Sequence, residues 1–134
     1  MRLLYIIQKI YKGQDPLHIL GSGNQVRHYT YGGDIAKGMA ECIFNPASDN
    51  NDFNISNATS TTVLELSKAI WKKINPNKEF SYISDDPFEY DVQKRVPDVS
   101  KAKDILGFEA TTELDTILDE VIPWVIKMVD SGDI

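Results

Sequence analysis

Apolar residues recur at helical spacing near the start of the chain. Within residues 3–12, Leu3, Leu4, Ile7, Ile10 and Tyr11 fall on one face, and a glycine follows at position 13. Because residues three and four positions apart share one side of a helix, this stretch predicts an amphipathic helix that ends at the glycine. The same reasoning predicts four more helices. The first begins at Asp34 and ends at Asn45-Pro46, and the second follows Ser60 or Thr61. The third runs from Asp98 or Ser100 to Leu106, with Gly107 as its C-cap, and the fourth begins with a Thr112-x-x-Asp115 capping box and bends at Pro123.

Short runs rich in β-forming residues separate the predicted helices. Residues 17–20 and 26–31 flank Gly21-Ser22-Gly23-Asn24, whose residue types suit a tight reversal, so the two runs predict a β-hairpin. Residues 53–56 and 80–83 predict two further strands. The alternation of short strands with several helices is typical of the α/β class, here as a small α+β-like domain.

The composition is that of one ordinary globular domain. The chain has 134 residues, 42% hydrophobic and 25% charged, which is enough for a single core and predicts one domain over residues 1–134. Its 14 Lys and Arg residues face 20 Asp and Glu residues, and this acidic balance disfavours binding to nucleic acid or to an anionic membrane. The single cysteine, Cys42, favours a reducing compartment, so the expected location is the cytoplasm.

No complete catalytic constellation is present in the sequence. His18 and His28 lie on predicted strands without cysteine or acidic residues at metal-ligand spacing, so no metal site is expected. Gly21-Ser22-Gly23 lacks the order of a nucleophile elbow and the third glycine of a dinucleotide-binding turn. A turn is therefore the simpler interpretation of this segment.

Two arginines are candidates for binding an anion. Arg27 alternates with its neighbours on a predicted strand, and Arg95 stands directly before a predicted helix. A guanidinium group can bind phosphate oxygens through two N–H donors at once, so two arginines that converge on one cleft would suit a diphosphate. The alternative is that each arginine pairs with a surface carboxylate of residues 85–91. Residue type alone leaves both interpretations open.

Four short motifs follow one another along nearly the whole chain. They are Gly21-x-Gly23 with Gln25-x-Arg27 and the aromatic pair Tyr29 and Tyr31, then Asp34-Ile35-Ala36, then Phe53-Asn54-Ile55-Ser56-Asn57 with Leu64-Glu65-Leu66, and finally Arg95-x-Pro97-Asp98 with Lys101-Ala102 and Leu106-Gly107-Phe108. Their order and spacing resemble those of the NAD-dependent nucleotide-sugar epimerases, dehydratases and decarboxylases, which are extended short-chain dehydrogenases.

The resemblance implies part of a two-part protein. In that family an amino-terminal Rossmann domain binds NAD and carries a Tyr-x-x-x-Lys catalytic pair, and a smaller carboxy-terminal domain clamps the nucleotide sugar. The sequence resembles the second part only, because it has no Gly-x-x-Gly-x-x-Gly turn, and its Tyr5-x-x-x-Lys9 falls in the opening helix, outside the matching context. The implied fold is the substrate domain of an extended short-chain dehydrogenase without its Rossmann domain.

The resemblance also implies ligands and site residues. The expected substrate is a nucleotide sugar, with a UDP-sugar as the first expectation, and NAD is expected in the parent enzyme, on the missing Rossmann domain. Arg27 would contact the diphosphate, Arg95 would lie next to the same phosphates or the sugar, and Gln25 and Asn57 are further substrate-binding candidates. The backbone of residues 17–19 is expected to border the base. His28 is a departure, because the family frequently has Asp there.

Three functional hypotheses follow from these residues. The first is the substrate-binding domain of an epimerase, dehydratase or decarboxylase, inactive on its own. The second is a free-standing nucleotide-sugar-binding or regulatory module without a cofactor domain. The third is part of a reductase whose substrate has no nucleotide, for which Arg27 and Arg95 would be incidental.

Overall fold

The computed structural model describes residues 2–134. Five helices and four short strands form a mixed α/β structure. In chain order they are α1 (Arg2–Tyr11), β1 (Leu17–Leu20), β2 (Val26–Arg27), α2 (Gly32–Phe44), β3 (Thr61–Thr62), α3 (Val63–Ile74), β4 (Tyr82–Asp85), α4 (Ser100–Leu106) and α5 (Leu114–Ser131), with a 3-10 turn over Pro46–Ser48 after α2. The predicted class of short strands with several helices is confirmed.

The chain folds into two compact units. Unit 1 comprises residues 1–25, 62–93 and 115–134, and unit 2 comprises residues 26–61 and 94–114. The assignment of residues 1–134 to a single nucleotide-sugar-binding domain stays a prediction. Within the described part of the chain, no helix is both long enough and apolar enough to cross a membrane.

Unit 1 is built around helices that bury one apolar face each. α1 packs against α3, and α5 contributes a third buried stripe. The core of this unit consists of Ile6, Ile7, Ile10, Leu17, Ile19, Val63, Leu66, Ile70, Trp71, Ile117, Leu118, Ile122 and Val125. Removing such side chains from water stabilises a fold by roughly 1.5–3 kcal/mol each, so this cluster is what holds the helices together.

β1 pairs in parallel with β4, so the predicted hairpin between residues 17–20 and 26–31 is wrong. The register places Leu17 opposite Tyr82 and Leu20 opposite Asp85. The Leu17 N–H donates to the Ser81 carbonyl, and the Gly21 N–H donates to the Asp85 carbonyl. Strand β4 therefore pairs with the edge of β1 on which these N–H groups lie.

Side chains cover the other edge of β1. The His18 N–H donates to Gln14 Oε1 at 3.0 Å, and the His18 carbonyl accepts from Lys9 Nζ at 3.0 Å. The Leu20 carbonyl accepts from Gln25 Nε2 at 2.9 Å. Because these three side chains satisfy the backbone groups that a hairpin partner would need, residues 26–31 cannot pair there.

Unit 2 has a smaller apolar cluster. Ala102 and Leu106 of α4 are buried together with Phe108, and the half-buried side chains of Cys42 and Ile55 pack against them. α4 ends at Gly107, whose φ of 65° is the left-handed conformation that glycine adopts without steric penalty. The predicted helix from Ser100 to Leu106 with this C-cap is confirmed.

Two of the predicted strands are wrong or too long. Residues 53–56 form no strand, and a single bridge joins Asn57 to Ala110. β2 pairs with β3 but ends at Arg27, well short of residue 31. Phe53 and Ile55 pack against the apolar cluster of unit 2 and do not line a sheet, so the β-forming residues here reflect packing and not strand pairing.

Helix starts differ from the sequence prediction by one or two residues. α2 begins at Gly32 after Tyr31, so Asp34 lies in its first turn, and its carboxylate accepts from the Thr112 N–H at 3.0 Å. α5 begins at Leu114, which leaves Thr112 outside the helix. α3 starts after Thr62, one residue beyond Thr61, with Thr62 and Glu65 forming a capping box.

Candidate functional site

Arg27 and Arg95 lie on neighbouring parallel segments of unit 2. Val26 pairs in parallel with Lys94, and the Arg95 N–H donates to the Val26 carbonyl at 3.4 Å. Since the two segments run in the same direction from this pair, the next residues along each segment, Arg27 and Arg95, are also opposite each other in register. Arg27 and Arg95, which 67 residues separate in the sequence, therefore occupy matching positions on the two segments.

The two arginines differ in exposure. Arg27 is half-buried, and its Nη1 donates to the Val26 carbonyl at 2.7 Å. Arg95 is exposed. One guanidinium is therefore tethered to its own strand, and the other stands toward solvent, where an anion can reach it.

Asn57 anchors unit 2 through both ends of its amide. The side chain is 8% exposed. Its Nδ2 donates to the Thr112 carbonyl at 3.2 Å, and its Oδ1 accepts from the Thr59 N–H at 2.7 Å. Its backbone N–H also donates to Thr30 Oγ1 at 3.0 Å. These bonds give Asn57 a structural task, while the substrate contact that the family resemblance implies for it stays a prediction.

Gln25 belongs to unit 1 and is 1% exposed. Its Nε2 donates to the Leu20 carbonyl and to Asp91 Oδ2, both at 2.9 Å, which uses both amide hydrogens. Its Oε1 is buried without a hydrogen-bond partner among the described residues. The amide thus closes the loop after β1, and a substrate contact by Gln25 also stays a prediction.

His28 is a residue whose place the sequence reasoning missed. It follows β2 directly, and its Nδ1 lies 2.8 Å from the Asn57 carbonyl oxygen. A carbonyl can only accept, so Nδ1 carries the hydrogen of this bond. Its Nε2 is buried and has no hydrogen-bond partner in the described part of the chain.

Unit 1 contains an open, largely apolar cavity between α1, β1 and α3. Its lining comprises Tyr5, Ile6 and Lys9 of α1, His18, Ile19 and Leu20 of β1, and Val63 of α3. The Lys9 ammonium lies 4.5 Å from the centre of the Tyr5 ring, and His18 Nδ1 lies 2.8 Å from Asp85 Oδ1. The Tyr5-x-x-x-Lys9 spacing thus produces a cation–π contact on a cavity wall.

The glycine loop of unit 1 does not fit a dinucleotide cofactor. Gly21 and Gly23 have φ of 68° and 78°, but strand β2 and not a helix follows them. The Gly21 N–H already donates to Asp85, and the Asn24 N–H donates to Ser22 Oγ. A pyrophosphate needs free N–H groups at the start of a helix, so this loop offers no such cradle. Among residues 2–134 no group of His, Cys, Asp and Glu is arranged to hold a metal ion.

Short strands and several helices form a mixed α/β structure, as the family resemblance implies. The sequence model of a family described as GDP-mannose 4,6 dehydratase matches residues 1–121. The chain belongs to this family of NAD-dependent sugar epimerases and dehydratases.

Curated relatives include sugar-nucleotide decarboxylases. The chain is 32% identical over 104 residues to UDP-glucuronic acid decarboxylase 4 of Arabidopsis thaliana, an alignment that covers 75% of the chain and 22% of that protein. It is 27% identical over 126 residues to UDP-glucuronic acid decarboxylase 1 of Xenopus tropicalis, covering 94% of the chain and 28% of that protein. The chain therefore spans about a quarter of the length of these relatives.

Solved structures share the fold. UDP-glucose 4-epimerase of Thermotoga maritima, solved with UDP-glucose, superposes with a TM-score of 0.80 at 29% identity and covers 95% of the chain and 40% of that structure. UDP-glucuronic acid 4-epimerase of Bacillus cereus, in complex with UDP-glucuronic acid and NAD, superposes with a TM-score of 0.84 at 21% identity. The chain corresponds to part of an epimerase structure.

Proposed function

We propose that the chain is the nucleotide-sugar-binding part of an NAD-dependent epimerase, dehydratase or decarboxylase, with a UDP-sugar as its ligand. Arg27 and Arg95 hold the diphosphate, and the chain alone does not turn the sugar over. The observation that carries this proposal is the parallel pairing of Val26 with Lys94, which sets the two arginines in register.

Two cations in register favour an anion between them. Each guanidinium can donate two parallel N–H bonds to phosphate oxygens, so two of them match the two phosphates of a nucleoside diphosphate. The tether from Arg27 to Val26 reduces the side-chain entropy lost on binding.

The expected base of the nucleotide is uracil, because UDP-sugars are the ligands in the names of the epimerase relatives.

The cofactor has its place outside this chain. The family resemblance implies that a separate cofactor domain holds NAD in the whole enzyme, and the glycine loop, which leads into strand β2 and not into a helix, supports this. What this chain contributes is orientation, since fixing a substrate against its reaction partner lowers the entropy that the reaction must overcome.

The test is a titration of the ¹⁵N-labelled chain with UDP, followed by NMR. UDP is expected to shift the backbone amides of Arg27 and Arg95 at millimolar concentration or below. Arg27→Ala and Arg95→Ala are each expected to weaken binding by about tenfold or more, because each removes a charged hydrogen-bond donor. Lys127→Ala, which removes one exposed positive charge from α5, serves as the matched control and leaves the affinity within twofold.

The proposal has two clear ways to fail. Unchanged affinity for UDP in both arginine variants would contradict the assignment of the diphosphate site. An equal loss in Lys127→Ala would mean that UDP responds to net charge alone and not to the aligned pair.

A further inference from the structure

Helix α2 packs into unit 2 along one side only. An α-helix turns by about 100° per residue, so residues four positions apart form a row along it. Gly38 and Cys42 belong to one such row. A Cβ on Gly38 would collide with Ile55, and Cys42 packs against the apolar cluster of unit 2. This row is therefore the side of the helix that unit 2 covers.

The neighbouring row of α2 is apolar and exposed. Ile35, Met39 and Ile43 form it, and Met39 and Ile43 are 57% and 70% exposed. The row after it contains only uncharged residues, which are Gly32, Ala36, Ala40 and Phe44. Phe44, at the end of the helix, is 81% exposed. Half of the helix surface therefore faces solvent without a charged side chain.

The charged residues of α2 lie elsewhere. Lys37 and Glu41 are two positions before and after Met39, which places them on the opposite side of the helix from it. The carboxylate of Asp34 accepts from the Thr112 N–H. A surface helix normally turns charged residues toward solvent, whereas a helix that is apolar on several sides is typically buried all round. The pattern indicates that a further partner covers α2.

The length of the relatives indicates which partner this is. The chain covers 40% of the epimerase structure of Thermotoga maritima, so more than half of that structure lies outside the shared part. Two domains move relative to each other unless their interface is large and apolar. A domain that binds a substrate must be fixed against the domain that carries its reaction partner, because catalysis by orientation requires one geometry. An uncharged, apolar face suits that requirement.

We propose that the exposed face of α2, formed by Ile35, Met39, Ile43 and Phe44, docks on the NAD-binding domain of the whole enzyme. The inference rests on that part of the proposed function which assigns the chain to a longer NAD-dependent enzyme. The face fixes the part that holds the nucleotide sugar relative to the cofactor.

The test is a chimera in which this chain replaces the corresponding part of the Thermotoga maritima epimerase, compared with the chain alone. Met39→Glu places a charge in the middle of the face. Because an unpaired charge inside an apolar interface is destabilising, it is expected to lower the melting temperature of the chimera by about 5 °C or more. In the chain alone, where Met39 is exposed, the change is expected to stay within about 2 °C. Circular dichroism follows the unfolding.

Lys37→Glu is the matched control, since it places a glutamate on the opposite side of the same helix. It is expected to change the melting temperature equally in the chimera and in the chain alone. Equal effects of Met39→Glu in the two proteins would overturn the inference.

Two further measurements cover other results. If the chimera does not fold, the chain is co-expressed with a tagged version of the remaining part of the same epimerase. The parent chain is expected to co-purify and Met39→Glu is not, and a parent chain that does not co-purify overturns the inference. Sedimentation of the chain alone is expected to show a monomer. A dimer that Met39→Glu dissociates would assign the face to a second copy instead.

The outcomes distinguish this inference from the proposed diphosphate site. Met39→Glu is expected to leave the affinity of the chain for UDP within twofold, because Arg27 and Arg95 are unchanged. UDP binding without an effect specific to the chimera removes the docking face and keeps the diphosphate site. An effect specific to the chimera without UDP binding does the reverse.

Discussion

At the scale of single residues, the candidate site contains charged side chains at matching register positions and amide side chains that are bonded within the protein. Arg27 and Arg95 occupy matching positions on two parallel segments, whereas Asn57 and Gln25 use their side-chain amides for hydrogen bonds within the protein. Sequence motifs cannot separate these tasks, because an amide that binds a ligand and an amide that closes a loop are the same residue type. His28 shows the converse, since its bond to Asn57 depends on a segment 29 positions away.

Gly38 gives a residue-scale prediction. It lies buried inside α2, and a Cβ built there would stand 2.5 Å from Ile55 Cγ2 and 3.0 Å from Phe108 Cζ. Gly38→Ala is expected to lower the free energy of unfolding by about 1–3 kcal/mol, because overpacking outweighs the gain in helix propensity. Urea denaturation followed by circular dichroism measures the change.

Gly32→Ala is the matched control for that substitution. Gly32 is the first residue of the same helix, and nothing lies within 4 Å of a Cβ built on it. Here alanine should leave the stability unchanged or raise it slightly. A loss of stability at Gly32 as large as at Gly38 would show that the helix backbone, and not the contact with Ile55, is sensitive.

At the scale of elements, helix existence followed from local pattern and strand pairing did not. All five predicted helices form, since a helix satisfies its backbone within one segment and shows its buried face as a 3.6-residue period. A strand needs a partner from elsewhere in the chain. For β1, the Lys9 and Gln14 side chains bond to the edge on which the hairpin partner was expected, so no strand pairs there.

The capping box of α3 gives an element-scale prediction. The Thr62 hydroxyl accepts from the Glu65 N–H at 3.1 Å, and the Glu65 carboxylate accepts from the Thr62 N–H at 2.7 Å. Thr62→Ala is expected to reduce the free energy of unfolding by about 1 kcal/mol. Chemical denaturation at neutral pH measures it, and Thr116→Ala, at an exposed position inside α5, is the control expected to change little.

The same box predicts a pH dependence. The backbone and hydroxyl hydrogen bonds from Thr62 hold the pKa of Glu65 below its ordinary value of 4.5. A carboxyl whose pKa is lower in the folded state stabilises the fold above its unfolded pKa and loses that contribution as the pH falls through the folded value. Stability should therefore decline below about pH 4.5 less steeply in Glu65→Gln than in the parent chain. Identical slopes in the two proteins would contradict this.

At the scale of the whole molecule, the chain matches only part of the length of its relatives. It spans 22% of a decarboxylase relative and 40% of an epimerase structure, yet residues 1–121 match the family sequence model. In residues 2–134 the turn at Gly21 and Gly23 does not form a cofactor-binding loop, because strand β2 and not a helix follows it.

This division predicts how ligands stabilise the chain. UDP at ten times its dissociation constant should raise the free energy of unfolding by about 1.4 kcal/mol, which shifts the melting temperature by several degrees. NAD at the same concentration should leave the melting temperature unchanged. Differential scanning calorimetry measures both, and stabilisation by NAD equal to that by UDP would contradict the assignment of the cofactor to another domain.

The sequence by itself determined the helices, the apolar faces and the order of the family motifs, because each of these depends on spacing within one segment. It also singled out Arg27 and Arg95 as phosphate-binding candidates. Only the tertiary structure decided which strands pair and that the two arginines share a register, because both depend on backbone hydrogen bonds between segments far apart in the chain. Hydrogen bonds between distant segments produce no repeating pattern in the sequence, so the pairing and its register are determined only in the folded structure.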